Sequence, residues 1–235
     1  KEAGSDMVTS LNQAVGVQGS SMNTDNIGCP LCQNGESGHY HKDRQRDYRQ
    51  CVTCQLVFVT AQYQLSEADE KAVYDDHQNS PIDMGYRQFL ARLADPLIER
   101  LPAQSQGLDF GCGPGPTLSV MMEEAGHRVA LFDLYYANKP EVLERQYDFI
   151  TATEVIEHLA SPGVELARLW SLLKPKGYLG IMTKQVKDKE AFANWHYKSD
   201  ATHISFFSRE TFDYLGVLWG SAPLFIGADV IIFQK

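Results

Sequence analysis

The stretch Gly107-Leu108-Asp109-Phe110-Gly111-Cys112-Gly113-Pro114-Gly115-Pro116 decides the fold. Its first four residues predict a short buried strand, and glycines follow at 111, 113 and 115. Glycines between a strand and a helix let a ligand approach bare backbone, and the amides at the helix start attract electron-rich groups. A dinucleotide-binding loop would carry its third glycine at 116, for close helix–sheet packing. That position is Pro116, which suits the first turn of a helix. The loop therefore departs from the nicotinamide pattern, and Cys112 reads as a small filler within it.

Reading outward, residues 117–125 predict a helix and residues 129–132 a second strand, closed by Asp133. A carboxylate there can accept hydrogen bonds from both hydroxyls of a ribose. Asp109 stands one residue from its own strand's end, where it would hold the loop amides or meet a ligand's ammonium group. Further strands are expected at 147–151 and 178–183, the latter after a turn at Lys174-Pro175-Lys176-Gly177. Helices are expected at 86–101, 164–173 and 209–218, and a hairpin of 224–227 with 230–233 closes the chain. Strand–helix alternation of this kind predicts an α/β fold, a parallel sheet with covering helices. One span is too short. Only 14 residues separate Asp133 from Asp148, where a complete strand–helix–strand unit takes about 30. The third strand and its preceding helix should be stunted or missing, a loss tolerable at a sheet edge.

Four segments in order carry a family resemblance. Leu108–Gly115 resembles motif one of the class I S-adenosylmethionine-dependent methyltransferases, and Asp133 resembles their ribose-binding acid. Tyr147-Asp-Phe-Ile-Thr-Ala-Thr-Glu-Val-Ile-Glu-His158 resembles the run from strand four into the active-site edge, and Leu172–Leu179 the turn before strand five. The similarity is closest to the branch holding ubiquinone-type and many small-molecule enzymes, and it covers residues 81–235. It implies a Rossmann-like methyltransferase sheet with a shortened third-strand region, and S-adenosylmethionine held by Asp109, Gly111, Gly113, Gly115, Asp133, Leu134 and Glu154. The shortened strand removes the place where the family often has an acidic adenine contact, so adenine would lean on Leu134 and Tyr135.

A separate signal lies upstream. Cys29-x-x-Cys32 and Cys51-x-x-Cys54 are separated by 18 residues, a spacing that suits a four-thiolate tetrahedral zinc site. The segment 29–60 resembles a zinc ribbon, and it is too poor in apolar residues to fold on packing alone. Structural zinc is therefore expected, with His39 and His41 as alternative ligands close by. Residues 1–28 read as a disordered leader, part of it of expression origin, with Met22 a candidate native start. Residues 61–80 read as linker and helix.

The stretch Asn194–Phe207 gathers aromatics and histidines after strand five, where such folds build an acceptor pocket. Trp195, His196, Tyr197 and His203 are its expected lining. His158 and His203 are the candidate catalytic bases. Composition sets the outer limits: net charge is -9 with 43% hydrophobic and 22% charged residues. That charge disfavours nucleic acid as a partner. The one basic cluster, Lys42, Arg44, Arg46 and Arg49, alternates with acids and reads as a solvated hairpin. No apolar run suits a membrane and no secretory signal is visible, so a cytoplasmic enzyme acting on a small-molecule acceptor is expected. The alternatives are an RNA methyltransferase that docks through the zinc module and a catalytically idle scaffold that binds cofactor or a partner.

Overall fold

The structure is a computed structural model that describes residues 25–76 and 79–235. Most of the expected leader lies outside the described residues. Its last part does not: β1 (Asp25–Asn26) pairs antiparallel with β2 (Glu36–Lys42). β3 (Asp47–Cys51) and β4 (Val57–Val59) continue this small antiparallel sheet. Two helices follow. α1 (Glu67–Asp75) is capped by Ser66, whose hydroxyl accepts the Asp69 N–H. α2 (Met84–Ile98) is capped by Asp83 and buries Leu90, Leu93, Ala94 and Leu97 on one face.

The larger sheet begins with β5 (Gln106–Phe110), then α3 (Thr117–Glu124) and β6 (Arg128–Phe132). β7 (Tyr147–Thr153), α4 (Pro162–Leu172) and β8 (Leu173–Met182) come next. After the short α5 (Lys189–Ala193) and β9 (Ser205–Phe206), α6 (Arg209–Trp219) starts from a capping box of Ser208 and Thr211. Gly220 ends α6 in the left-handed region. The hairpin of β10 (Leu224–Ile226) and β11 (Val230–Gln234) closes the fold.

Strand order in this sheet is β10-β11-β8-β7-β5-β6. β6, β5, β7 and β8 run parallel, and β11 is inserted antiparallel against β8. Among the described residues the sheet therefore ends at β6, with no third strand beyond it. Residues 133–147 hold instead an Asp133–Ala137 bridge and one 3-10 turn at Pro140–Glu144. The shortened edge expected from spacing is thus observed. The expected turn at Lys174–Gly177 is different: it lies inside β8 as a bulge. Leu173 pairs with Tyr147 and pairing resumes at Tyr178 with Phe149, while Lys176 takes a left-handed conformation.

The two sheets are joined rather than strung apart. β9, from the far end of the chain, pairs with β4 and completes the small sheet. Cys29, Leu31, Leu56 and Phe58 share one buried cluster with Ile150, Leu166, Phe207 and Phe212 of the larger unit. Among the described residues, no helix is long and apolar enough to cross a membrane.

Candidate active site and cysteine cluster

The parallel strands deliver their carboxyl ends to one edge, and the loop after β5 lies there. Gly111 has φ of +75°, and a side chain on it would drive into Val155, at 2.4 Å. Only glycine fits both conditions. Gly113 donates its N–H to Asp133 Oδ2 at 2.9 Å, tying the loop to the end of β6. The Gly115 carbonyl accepts the Thr117 N–H and hydroxyl as α3 begins. Asp133 Oδ1 accepts the amides of Tyr135 and Tyr136, so the carboxylate is fixed as a turn cap and keeps lone pairs for a ligand.

Asp109 is buried, and its Oδ1 accepts the Thr151 hydroxyl at 2.7 Å. Burial pushes its pKa up to about 6 against that hydrogen bond. Tyr86, Leu90, Asp109, Gly111, Cys112 and Thr153 line a cleft beside the loop. Two of the three buried side-chain atoms without a protein partner, among the described residues, sit at the end of β7: Thr153 Oγ1 and Glu154 Oε1. Glu154 holds φ of +53°, a left-handed backbone that costs free energy and concentrates at functional sites. Burial, and then the neighbouring Glu157, push its pKa up to about 8. A cofactor carrying an ammonium group and ribose hydroxyls suits these carboxylates and orphaned oxygens.

α1 closes the outer side of this edge. Tyr135 donates to Glu70 at 3.1 Å and Tyr136 to Asp75 at 2.7 Å, while the Tyr74 ring meets Tyr135 and His158. Leu134 is 56% exposed, and so is open to a flat ring laid against it.

Next to the cleft, Glu157, His158 and His203 converge. The imidazoles of His158 and His203 lie 4.7 Å apart between centroids. His203 Nδ1 meets the Tyr197 carbonyl at 2.7 Å, and burial lowers its pKa. Glu157 is fully buried and accepts from Thr183 Oγ1 at 3.0 Å and from the Tyr197 hydroxyl. Tyr197 is buried with them. Trp195 instead packs among Phe192, Tyr197 and Phe206, and His196 is exposed with its ring near Lys184 Nζ at 3.4 Å.

Sequence reasoning missed Arg46. Read as part of a solvated hairpin, it is buried, and its guanidinium reaches across to the loop carrying His203. It donates to the carbonyls of Lys198, Ala201, Asp200 and His203, the last at 2.9 Å. Backbone oxygens can satisfy a buried guanidinium without a carboxylate partner. Nothing in the local alternation of charges could have signalled it, because the acceptors lie about 155 residues away.

The four cysteines form a cluster whose ligand atoms all lie within 4.8 Å of one another. Cys29 and Cys54 sulfurs are 3.4 Å apart, as are those of Cys32 and Cys51. Each Cys-x-x-Cys pair is followed by a glutamine in the left-handed region, Gln33 at φ +61° and Gln55 at +60°. Their N–H groups close matching turns onto the carbonyls of Cys29 and Cys51. Tetrahedral zinc with bonds of about 2.3 Å needs sulfurs roughly 3.8 Å apart, so a small expansion of this cluster accommodates the ion. His39 is exposed and His41 packs tilted against Tyr48 and edge-on to Phe192, both apart from the cysteine cluster.

A sequence profile described as a methyltransferase domain matches residues 83–215, more than half of the chain. The chain belongs to that family. The methyltransferase is similar in fold to a solved O-methyltransferase family protein from Burkholderia thailandensis. Identity is 12%, 74% of this chain and 61% of that one are covered, and the TM-score is 0.51. A second similar structure is a 1,6-didemethyltoxoflavin-N1-methyltransferase from the same organism with S-adenosylhomocysteine bound. There the values are 17% identity, 84% and 98% coverage, and a TM-score of 0.49. No curated protein sequence matches. The fold and family make the chain an S-adenosylmethionine-dependent methyltransferase of class I.

Proposed function

We propose that the methyltransferase moves the sulfonium methyl of S-adenosylmethionine to a small-molecule acceptor held beside Glu157, His158 and His203. Direct displacement at carbon needs alignment and exclusion of water more than covalent catalysis, because the cofactor already carries charge and leaving group. Gly111, Gly113 and Gly115 let the cofactor lie on the backbone. Asp133 takes the ribose hydroxyls, Asp109 the ammonium, Leu134 the adenine face, and Glu154 the polar groups near the reacting centre. An acceptor that must lose a proton meets His158 and His203 first. Tyr197 forms part of the acceptor wall. Trp195 and His196 flank it, Trp195 as packing and His196 from the surface.

The four cysteines hold structural zinc. That ion closes the two turns, and through β4 and Arg46 the module steadies the loop that presents His203.

The observation that carries this reading is the pair of strand-end carboxylates, Asp109 and Asp133, on either side of a glycine loop. Asp133 is already fixed by the Gly113 N–H, at 2.9 Å. Isothermal titration of zinc-loaded protein with S-adenosylmethionine and S-adenosylhomocysteine tests it. Micromolar-range binding of both is expected for this site. No heat with either would leave a zinc-stapled scaffold on a methyltransferase fold. Filter binding to RNA at several salt concentrations separates the small-molecule acceptor from a nucleic-acid one: salt-sensitive retention of RNA would overturn the former.

A further inference from the structure

Glu157, His158 and His203 present a carboxylate oxygen and two imidazole nitrogens that all lie within 4.8 Å of one another. Each group is oriented from behind. The Nδ1 of His203 lies 2.7 Å from the Tyr197 carbonyl and that of His158 lies 3.3 Å from the Thr202 carbonyl. A carbonyl only accepts, so each ring places its Nδ1 proton there and turns Nε2 the other way, that of His203 lying 3.8 Å from Asp200 Oδ2. The carboxylate of Glu157 is held on one oxygen by Thr183 and on the other by Tyr197. Rings fixed through Nδ1 to a carbonyl, and a carboxylate itself hydrogen-bonded, are how proteins orient metal ligands.

Burial adds to this. Glu157 is 0% exposed and His203 only 7%. A carboxylate so deep in a fold stays ionised only where a positive charge offsets the loss of water. The ammonium of Lys184 is turned towards His196 and the Tyr197 ring.

We propose that Glu157, His158 and His203 bind a divalent transition-metal ion, a second metal site distinct from the four cysteines. Two imidazoles and one carboxylate suit manganese, iron, cobalt or zinc. Ligand bonds of about 2.0–2.2 Å set tetrahedral donors about 3.4 Å apart, so donors within 4.8 Å of one another close by at most about 1.4 Å. Three protein ligands leave positions open, and the cluster adjoins the cofactor edge through Glu154 and the end of β7. An oxygen of the acceptor would occupy an open position. That last step rests on the methyltransferase reading above, whereas the metal site does not.

The test uses full-length protein stripped of metal and then given one equivalent of zinc, which the four thiolates take. Manganese(II) is titrated in and free ion followed by electron paramagnetic resonance, since manganese favours nitrogen and oxygen donors over thiolates. One manganese per chain is expected. Glu157→Gln and the double variant His158→Ala/His203→Ala should weaken it more than about 100-fold, and Thr183→Val, which removes only support behind Glu157, by about 10–100-fold. Circular dichroism and the zinc content of each variant report folding, and the partly exposed His158→Ala alone serves if the double variant fails to fold. Absence of bound manganese, or binding unchanged in these variants, overturns the proposal. S-adenosylhomocysteine titrated into the same samples keeps the two readings apart. Binding of that ligand without manganese defeats the metal site alone, and manganese without that ligand defeats the methyltransferase reading alone.

Discussion

Asp109 and Asp133 end neighbouring parallel strands, yet their carboxylates meet opposite surroundings. Asp133 is fixed by three backbone amides at the rim. Removing it with Asp133→Ala takes away charge-assisted hydrogen bonds of about 1.5–3 kcal/mol each. S-Adenosylhomocysteine affinity should fall at least about tenfold by calorimetry. Asp109 is buried with one hydroxyl partner, and its pKa is raised to about 6. A raised carboxylate favours the folded protein most below its unfolded value, near pH 4, and that contribution is lost as pH rises towards 6. Pairing with the cofactor's ammonium works the other way, because it needs the ionised form. Affinity for S-adenosylmethionine should therefore be about tenfold weaker at pH 5 than at pH 7. Asp109→Asn should abolish that pH dependence. A wild-type affinity constant between pH 5 and 7 would remove Asp109 from the ammonium site. Both residues were legible from position alone. The hydroxyl of Thr151 that answers Asp109 was not, since it comes from a different strand.

Among the elements, the cysteine module and the loop carrying His203 are tied together. β4 pairs with β9, and Arg46 before β3 binds the carbonyls of Lys198, Asp200, Ala201 and His203. Arg46→Met would leave those buried carbonyls without donors, at a cost of about 1–3 kcal/mol for each one not rescued by water. Amide exchange across residues 197–205 should quicken by at least about tenfold, while β5, β7 and β8 keep their protection. Chelating zinc, or Cys51→Ser, should loosen the same loop. An exchange map altered only within residues 29–60 would show the module to be uncoupled. The two Cys-x-x-Cys pairs announced the cysteine cluster because ligand spacing is local chemistry. Their coupling to His203 was invisible because hydrogen bonds to backbone oxygens leave no residue-type signature.

For the whole molecule, the shared core sets the cooperativity. Cys29, Leu31, Leu56 and Phe58 lie in the same buried cluster as the helices and strands of the larger sheet. Gly163, at the start of α4, donates to the Pro30 carbonyl, and a side chain there would stand 2.0 Å from the Leu31 oxygen. Gly163→Val should therefore pry the module from the sheet and lower the melting temperature by several degrees, about 2–4 °C per kcal/mol lost at this chain length. The zinc-loaded wild type should melt in a single transition by calorimetry, as one cooperative unit. Two separated transitions would mean that the interface contributes little. A catalytic part cut at residue 61 should aggregate, since Phe207 and Phe212 would lose the cover of Leu56 and Phe58.

The parallel sheet, the glycine loop with its two acids, the four thiolates and the loss of the third strand were all written in local sequence. Each rests on spacing within about 30 residues: hydrophobic period, glycine placement, ligand interval and the length needed for a crossover. That β9 completes the cysteine module's sheet, that Arg46 is buried, and that Glu157, His158 and His203 meet emerged in the folded chain alone. Those facts depend on which distant segments share a surface. Burial of apolar area is non-directional and selects such partners only through the summed packing of the entire chain.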